Sequence, residues 1–149
     1  MRALTPKEID ETIDSLNWAT IITVKPDGQP YAIEATPFFM DDKICFMINP
    51  KGTTKKNLDH SDHVLLKYTT VSQSLDKWCG ISCFGRGGFV SEVTKIARGW
   101  ELLGKVMGAD YSAVSAKFVK HPENTPLLMV SVLEKTGRCN WKIGEIFPS

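Results

Sequence analysis

Apolar residues along the chain fall into short runs with two different periods. Ile9, Ile13 and Leu16 recur at helical spacing behind Thr5-Pro6-Lys7-Glu8. Thr5 suits the N-cap, Pro6 the first helical position and Glu8 the third, a capping box that predicts an amphipathic helix to about Asn17. Trp18 to Val24 is rich in β-branched residues and predicts a strand. Pro26-Asp27-Gly28-Gln29 predicts a hairpin turn with Gly28 at positive φ. A second strand is expected over Pro30 to Met40, a turn at Asp41-Asp42, and a third strand from Lys43 to Ile48. Beyond the breaker Asn49-Pro50-Lys51-Gly52, Thr53 to His60 reads as a short helix and Val64 to Val71 as a fourth strand. A polar loop precedes a long glycine-interrupted strand, Trp78 to Val90. Ile96, Trp100, Leu103 and Met107 mark a helix over Lys95 to Met107, and Tyr111 to Val119 a further helical turn or two. Leu127 to Leu133 reads as a buried strand, Thr136-Gly137-Arg138 is expected to turn it, and Cys139 to Ile143 to close the sheet.

Six or seven strands joined mostly by hairpins do not follow the βαβ alternation of a parallel sheet. They predict a mainly-β, antiparallel barrel with helical covers. The 149 residues are expected to form one domain, 1–149. A hydrophobic fraction of 42% with 23% charged residues excludes disordered, collagen-like and coiled-coil chains. Eighteen basic against 17 acidic residues leave +1, so no global basic field exists to hold nucleic acid. No apolar run approaches the ~20 residues of a membrane span, and the first residues lack the apolar stretch of a secretory signal. A cytoplasmic location is the expectation, and with it a reducing compartment in which Cys45, Cys79, Cys83 and Cys139 are free thiols, mostly in the core.

The densest chemistry lies in Asn49 to Leu58. A strand ends, Gly52 turns the chain, and a helix starts on Thr53 and Thr54 with Lys51, Lys55 and Lys56 close by. Free amides at a helix N-terminus beside cations make an anion site; the alternative is a capped surface helix with solvated lysines. The P-loop spacing is absent. Pro37, inside Ile33 to Met40, cannot donate to a ladder and marks an edge or a break where a flat ligand could lie; the alternative is a twisted edge strand with Phe38 or Phe39 in the core. Gly85-Arg86-Gly87-Gly88 reads as a barrel bend. His60-x-x-His63 and Cys79-x-x-x-Cys83 match no zinc-site spacing, so no metal is expected. No nucleophile elbow and no acid–base carboxylate pair stand out.

With those segments in view, the chain resembles the pyridoxamine 5′-phosphate oxidase-like, FMN-binding split-barrel superfamily, and within it the branch of nitroimidazole reductase-like proteins. Trp18 to Tyr31 is similar to the family's first hairpin, Asp41 to Phe46 to its next turn and strand, and Gly52 to Val64 to its phosphate-binding helix and the strand after. Phe84-Gly85-Arg86-Gly87 resembles its barrel strand and Leu133 to Arg138 its closing hairpin. The resemblance implies a six-stranded antiparallel split β-barrel of Greek-key type with covering helices, and a homodimer with FMN at the subunit interface. It places Ala35, Thr36 and Pro37 against the flavin ring, Ile48 and Asn49 beside the ribityl chain, and Thr53, Thr54, Lys55 and Lys56 near the phosphate. Trp78 would reach across from the partner. Thr54 stands where the family usually has a lysine, so either Lys55 or Lys56 takes that role or the phosphate is held less tightly. Met47 stands where the nitroimidazole-type histidine would be, so nitro-drug reduction does not carry over.

The implied function is an FMN-dependent oxidoreductase acting on an unidentified small molecule, with a donor such as NAD(P)H. Pyridoxamine phosphate itself is disfavoured, because no second basic cluster offers it a phosphate site. The alternatives are a flavin-binding electron carrier and a dimeric binding barrel without cofactor. Neither a nucleic acid nor a membrane is an expected partner.

Overall fold

Helix α1, Pro6–Ser15, forms on the expected capping box: Thr5 Oγ1 accepts from the Glu8 amide, and the Glu8 carboxylate accepts from the Thr5 amide. It ends two residues before Asn17. The computed structural model describes residues 1–142 and residue 145. A two-residue strand that the sequence pattern does not reveal, β1 (Arg2–Ala3), precedes the helix. The hairpin β2 (Ala19–Val24) and β3 (Pro30–Ala35) turns at Gly28, whose φ is +89°.

The expected single strand from Pro30 to Met40 is in fact two, because Thr36 and Pro37 belong to no ladder. β4 (Phe38–Met40) resumes after them and pairs with β5 (Lys43–Met47) through a turn in which Asp41 and Asp42 both take positive φ. Helix α2 covers Thr53–His60 as expected. β6 (His63–Val71) and β7 (Trp78–Phe89) form the long central hairpin. Helices α3 (Val93–Met107) and α4 (Ser112–Lys120) follow, then a 3₁₀ turn over Pro122–Asn124.

The last strand also departs from expectation. β8 is one strand, Leu127–Cys139, with no turn at Thr136-Gly137-Arg138. Gly137 serves close packing instead: a Cβ there would lie 2.7 Å from Leu4 Cδ1 and 3.2 Å from Ile9 Cγ1, so its bareness lets the N-terminal segment and α1 seat on the sheet. Ile143, the expected end of a closing strand, lies outside the described residues.

All pairings are antiparallel, in the order β3-β2-β6-β7-β8-β5-β4, with β1 on β8. β3 and β4 stand at opposite ends of this order, yet two residues separate them in the chain. The sheet must therefore curl until its ends meet, which makes a split barrel. Counting β3 and β4 as one interrupted strand and setting β1 aside gives its six strands.

Alternation fills the barrel with Ile21, Leu66, Tyr68, Ile81 and Phe46, each at most 1% exposed. A second apolar cluster, including Phe38, Ile96, Leu103 and Met129, lies under α3 and α4, where Trp100 stacks on Phe118 at 5.6 Å. Phe38 is the core residue of its pair and Phe39 is exposed. The glycine run bends β7 as expected: the ladder to β8 shifts register at Phe84/Gly85, and a Cβ on Gly85 would lie 2.2 Å from the Ser131 carbonyl oxygen. All four cysteines are free and buried. Among the described residues no helix is long and apolar enough to cross a membrane.

Candidate functional site

The break between β3 and β4 and the start of α2 lie on one continuous path. Phe38 pairs with Cys45, so Thr36 and Pro37 leave β4 on the side of Phe46 and Met47. β5 runs from there through Ile48 and Asn49 toward α2. Ala35 closes the β2 ladder opposite Ala19; Thr36 is half-buried and Pro37 buried. The Ile48 amide donates to the Pro126 carbonyl, and the Asn49 side chain accepts from the Lys51 amide at 3.0 Å. Ala35, Thr36, Pro37, Ile48, Asn49 and the α2 start are thus gathered within one chain.

The N-cap of α2 is Gly52, which makes no side-chain cap bond, so the first-turn amides are not closed off by their own chain in the usual way. This departs from the alternative of a capped surface helix. Thr53 is half-buried. Thr54 is 2% exposed, and its hydroxyl finds no hydrogen-bond partner among the described residues. Leaving such a group unpaired costs roughly 1–3 kcal/mol. The helix is anchored from its other face: Asn57, 1% exposed, donates to Thr23 Oγ1 at 3.0 Å. Lys55 is not solvated as a lone lysine would be, since it pairs with Asp59 and lies 5.5 Å from the Phe89 ring centroid. Lys56 and Lys51 are exposed.

Trp78 lies far from the α2 end of this group. It opens the twelve-residue β7, and Phe89, against which Lys55 packs, closes it roughly 35 Å along the strand. The loop before Trp78 is ordered. Asp76 accepts from the Ser72 and Ser74 hydroxyls, which hold its carboxyl below the usual range. Asn140 accepts from the Trp78 amide at 2.8 Å and donates to the Asp76 carbonyl at 2.6 Å. Leu75, at φ +64°, is held outward by this stitching.

The outward-facing residues of β2, β6 and β7 line up in cross-strand rows. Glu34, Thr20, Lys67 and Ser82 form one, and Ala32, Ile22, Leu65 and Phe84 the next. Lys67 donates to Ser82 Oγ at 3.0 Å. The sequence reading did not single out Lys67; the signal available was its place between Leu65 and Thr69 on the polar phase of an alternating strand. His60 and His63 are exposed whereas Cys79 and Cys83 are inside the barrel, so the four nominal metal ligands are not brought together.

Solved structures share this fold. A 5-nitroimidazole antibiotic resistance protein of Bacteroides thetaiotaomicron aligns with a TM-score of 0.72 at 14% identity, over 93% of this chain and 87% of its own. A FAD-binding protein of Mesorhizobium loti aligns at 0.67 and 15%, over 94% and 98%. The heme storage protein HutZ of Vibrio cholerae aligns at 0.63 and 14%, over 87% and 90%. None of the curated proteins matches the chain. The pyridoxamine 5′-phosphate oxidase sequence family matches residues 5–136, from the N-cap of α1 through most of β8. The interrupted barrel strand and the uncapped helix beside it are therefore features of a member of the pyridoxamine 5′-phosphate oxidase family.

Proposed function

We propose that the chain binds a flavin, FMN, and works as an oxidoreductase on a small molecule. The observation that carries this reading is the N-terminal turn of α2: Gly52 gives it no side-chain cap, and the Thr54 hydroxyl beside it is buried and unpartnered. A phosphate monoester supplies the acceptors that both lack. FMN carries such a group and riboflavin does not. Thr53 and Thr54 would donate to the phosphate, with Lys56 supplying exposed charge and Lys55 charge shared with Asp59. Ala35, Thr36 and Pro37 would border the ring where the backbone leaves its ladders, and Ile48 and Asn49 the chain between.

A bound flavin supplies reversible two-electron transfer, which the side chains here do not. The residues would bind, orient and exclude water, which accounts for a site without a carboxylate pair. Trp78 would be contributed by a second copy of the chain. Val71, Leu75 and Trp18 are 50%, 72% and 61% exposed and supply apolar surface for that association. Members of this fold include flavin-binding and heme-storing proteins, and the three histidines here are all exposed rather than placed as buried axial ligands.

A visible spectrum of the purified protein, with titration of the apo form by FMN and by riboflavin, tests the reading. The flavin band pair and at least tenfold tighter binding of FMN are expected. A Soret band after reconstitution with heme but none from flavin, or equal affinity for the two flavins, overturns it. Turnover with NAD(P)H and a panel of acceptors separates an enzyme from an electron carrier.

A further inference from the structure

Two of the four buried thiols face each other. Cys79 of β7 and Cys139 of β8 are direct partners in register. One step outward, the Asn140 amide donates to the Trp78 carbonyl at 3.3 Å and the Trp78 amide donates to the Asn140 side chain, so 78/140 takes the place of a hydrogen-bonded pair. Such pairs alternate with non-hydrogen-bonded ones, so 79/139 belongs to the second kind, where Cα atoms approach to about 4.5 Å and side chains are closest. A disulfide requires a Cα separation of about 4.4–6.8 Å. Both side chains point into the barrel, at 1% and 0% exposure, so they share a face as a bridge demands. Cys45 and Cys83 have no cysteine opposite them: their cross-strand partners are Phe38 and Met129, and Leu66 and Lys135.

The pair also sits at the ends of both strands. Cys139 is the last residue of β8 and Cys79 the second of β7. Their cover on the β8 side is β1, two residues long, with Arg2 opposite Cys139. Arg2 holds the cover down by donating to the Trp141 carbonyl at 2.8 Å and pairing with Glu8. Ends of ladders open at far lower cost than strand centres. Burial, aided by the neighbouring Cys139, pushes the Cys79 thiol up to about 11, so the closed state protects it. Opening of these strand ends brings water back to the thiols and relieves the desolvation that holds Cys79 protonated.

We propose that Cys79 and Cys139 are a reversible dithiol–disulfide couple that exchanges with small-molecule disulfides of the glutathione type. The Cys139 thiol loses its proton, and the thiolate attacks one sulfur of the small disulfide. The S–S bond breaks, and one small thiol leaves after taking up a proton. Deprotonated Cys79 then attacks the Cys139 sulfur of the mixed disulfide and expels the second small thiol. The two cysteines lose two electrons and two protons, and the small disulfide gains both. The bond formed closes the loop from 79 to 139 and locks β7 to β8 beside Trp78.

The test uses the full-length reduced protein, equilibrated against mixtures of glutathione and glutathione disulfide, then denatured and alkylated. Peptide mapping without reduction should recover a single intramolecular Cys79–Cys139 link, with Cys45 and Cys83 alkylated, and glutathione should reverse it. Cys79→Ala should stop the reaction at a glutathione adduct on Cys139. If that variant fails to fold, the map of the unaltered protein decides alone. Four alkylated cysteines at every glutathione ratio, or links that involve Cys45, Cys83 or a second chain, overturn the proposal.

Discussion

At Thr54 the demands of stability and of binding part company. Its hydroxyl is buried without a partner, a group that valine would replace at nearly the same volume with no polar atom to desolvate. Thr54→Val is expected to leave the apo protein as stable or to raise its unfolding free energy by up to about 1 kcal/mol, while weakening FMN about tenfold and riboflavin hardly at all. Denaturant unfolding of the apo form and titration of both ligands check this together; a destabilised variant with unchanged FMN affinity would make Thr54 a structural residue. Glu8 shows the opposite case, a side chain whose bonds all serve the fold. The Arg2 guanidinium and the Thr5 amide lower its carboxyl from an ordinary 4.5 to about 2. A carboxyl depressed in the folded state stabilises above its unfolded value, and that contribution is lost as pH falls from about 4.5 through about 2. Glu8→Gln should therefore cost about 1 kcal/mol at neutral pH, and the gap between variant and parent should close toward pH 2. Parallel urea titrations across that range measure it, and a gap independent of pH would assign the loss to packing. The hydroxyls and lysines of the α2 start were legible from residue type and order alone. Asp59, four residues on in the same helix, was within reach of that reading as a partner for Lys55, whereas Phe89 was not, because only the barrel brings it there.

Glycines at the element scale carry two different meanings, and sequence pattern confuses them. Gly28 takes positive φ in a hairpin, as Asp-Gly predicts. Gly137, next to Thr136 and Arg138, gives the same local signal yet lies inside β8, bare because Leu4, Ile9 and Ile81 crowd the space a Cβ would need. No local rule separates these, since the crowding comes from residues more than fifty positions away. The reverse holds at Pro37, where the missing donor announces a broken ladder. What it cannot announce is that the two halves pair at opposite ends of the sheet. β7 offers an internal control for close approach. A Cβ on Gly85 would meet the Ser131 carbonyl at 2.2 Å, and backbone cannot yield as a side chain does, whereas a Cβ on Gly88, three residues on, meets nothing within 4 Å. Gly85→Ala should lose about 2–3 kcal/mol or fail to accumulate as soluble protein, and Gly88→Ala should stay within about 0.5 kcal/mol of the parent. Urea midpoints of the pair decide; equal losses would mean that the bulge at Phe84/Gly85 relaxes to admit a methyl group.

On the scale of the whole molecule, the proposed second copy is expected to sit on the outward face of β2, β6 and β7. β2, β6 and β7 turn Ile22, Leu65 and Phe84 outward in one row, with Lys67 and Ser82 in the next, and Val71 and Trp78 end the same face. Leu75 projects beside them from a loop whose Ser72, Ser74 and Asp76 bonds hold it at φ +64°, a conformation a leucine adopts only when its surroundings impose it. A stable association needs on the order of 1,000 Å² or more of buried surface. The association is expected to draw on the face from Trp18 to Phe84 as well as on the exposed tips. Leu75→Asp with Val71→Asp places two charges at the apolar end while touching neither the barrel interior nor α2. The parent is expected to sediment as a dimer at micromolar concentration and the doubly substituted protein as a monomer, with circular dichroism and thermal unfolding showing a fold still formed. Its flavin affinity then reads the second half of the proposal. If Trp78 closes the site from the partner, separating the chains should weaken FMN at least about tenfold, and Trp78→Ala in the intact dimer should do the same without changing its mass. A monomer that still binds FMN as tightly as the parent would confine the whole site to one barrel, between the Thr36-Pro37 break and the open turn of α2.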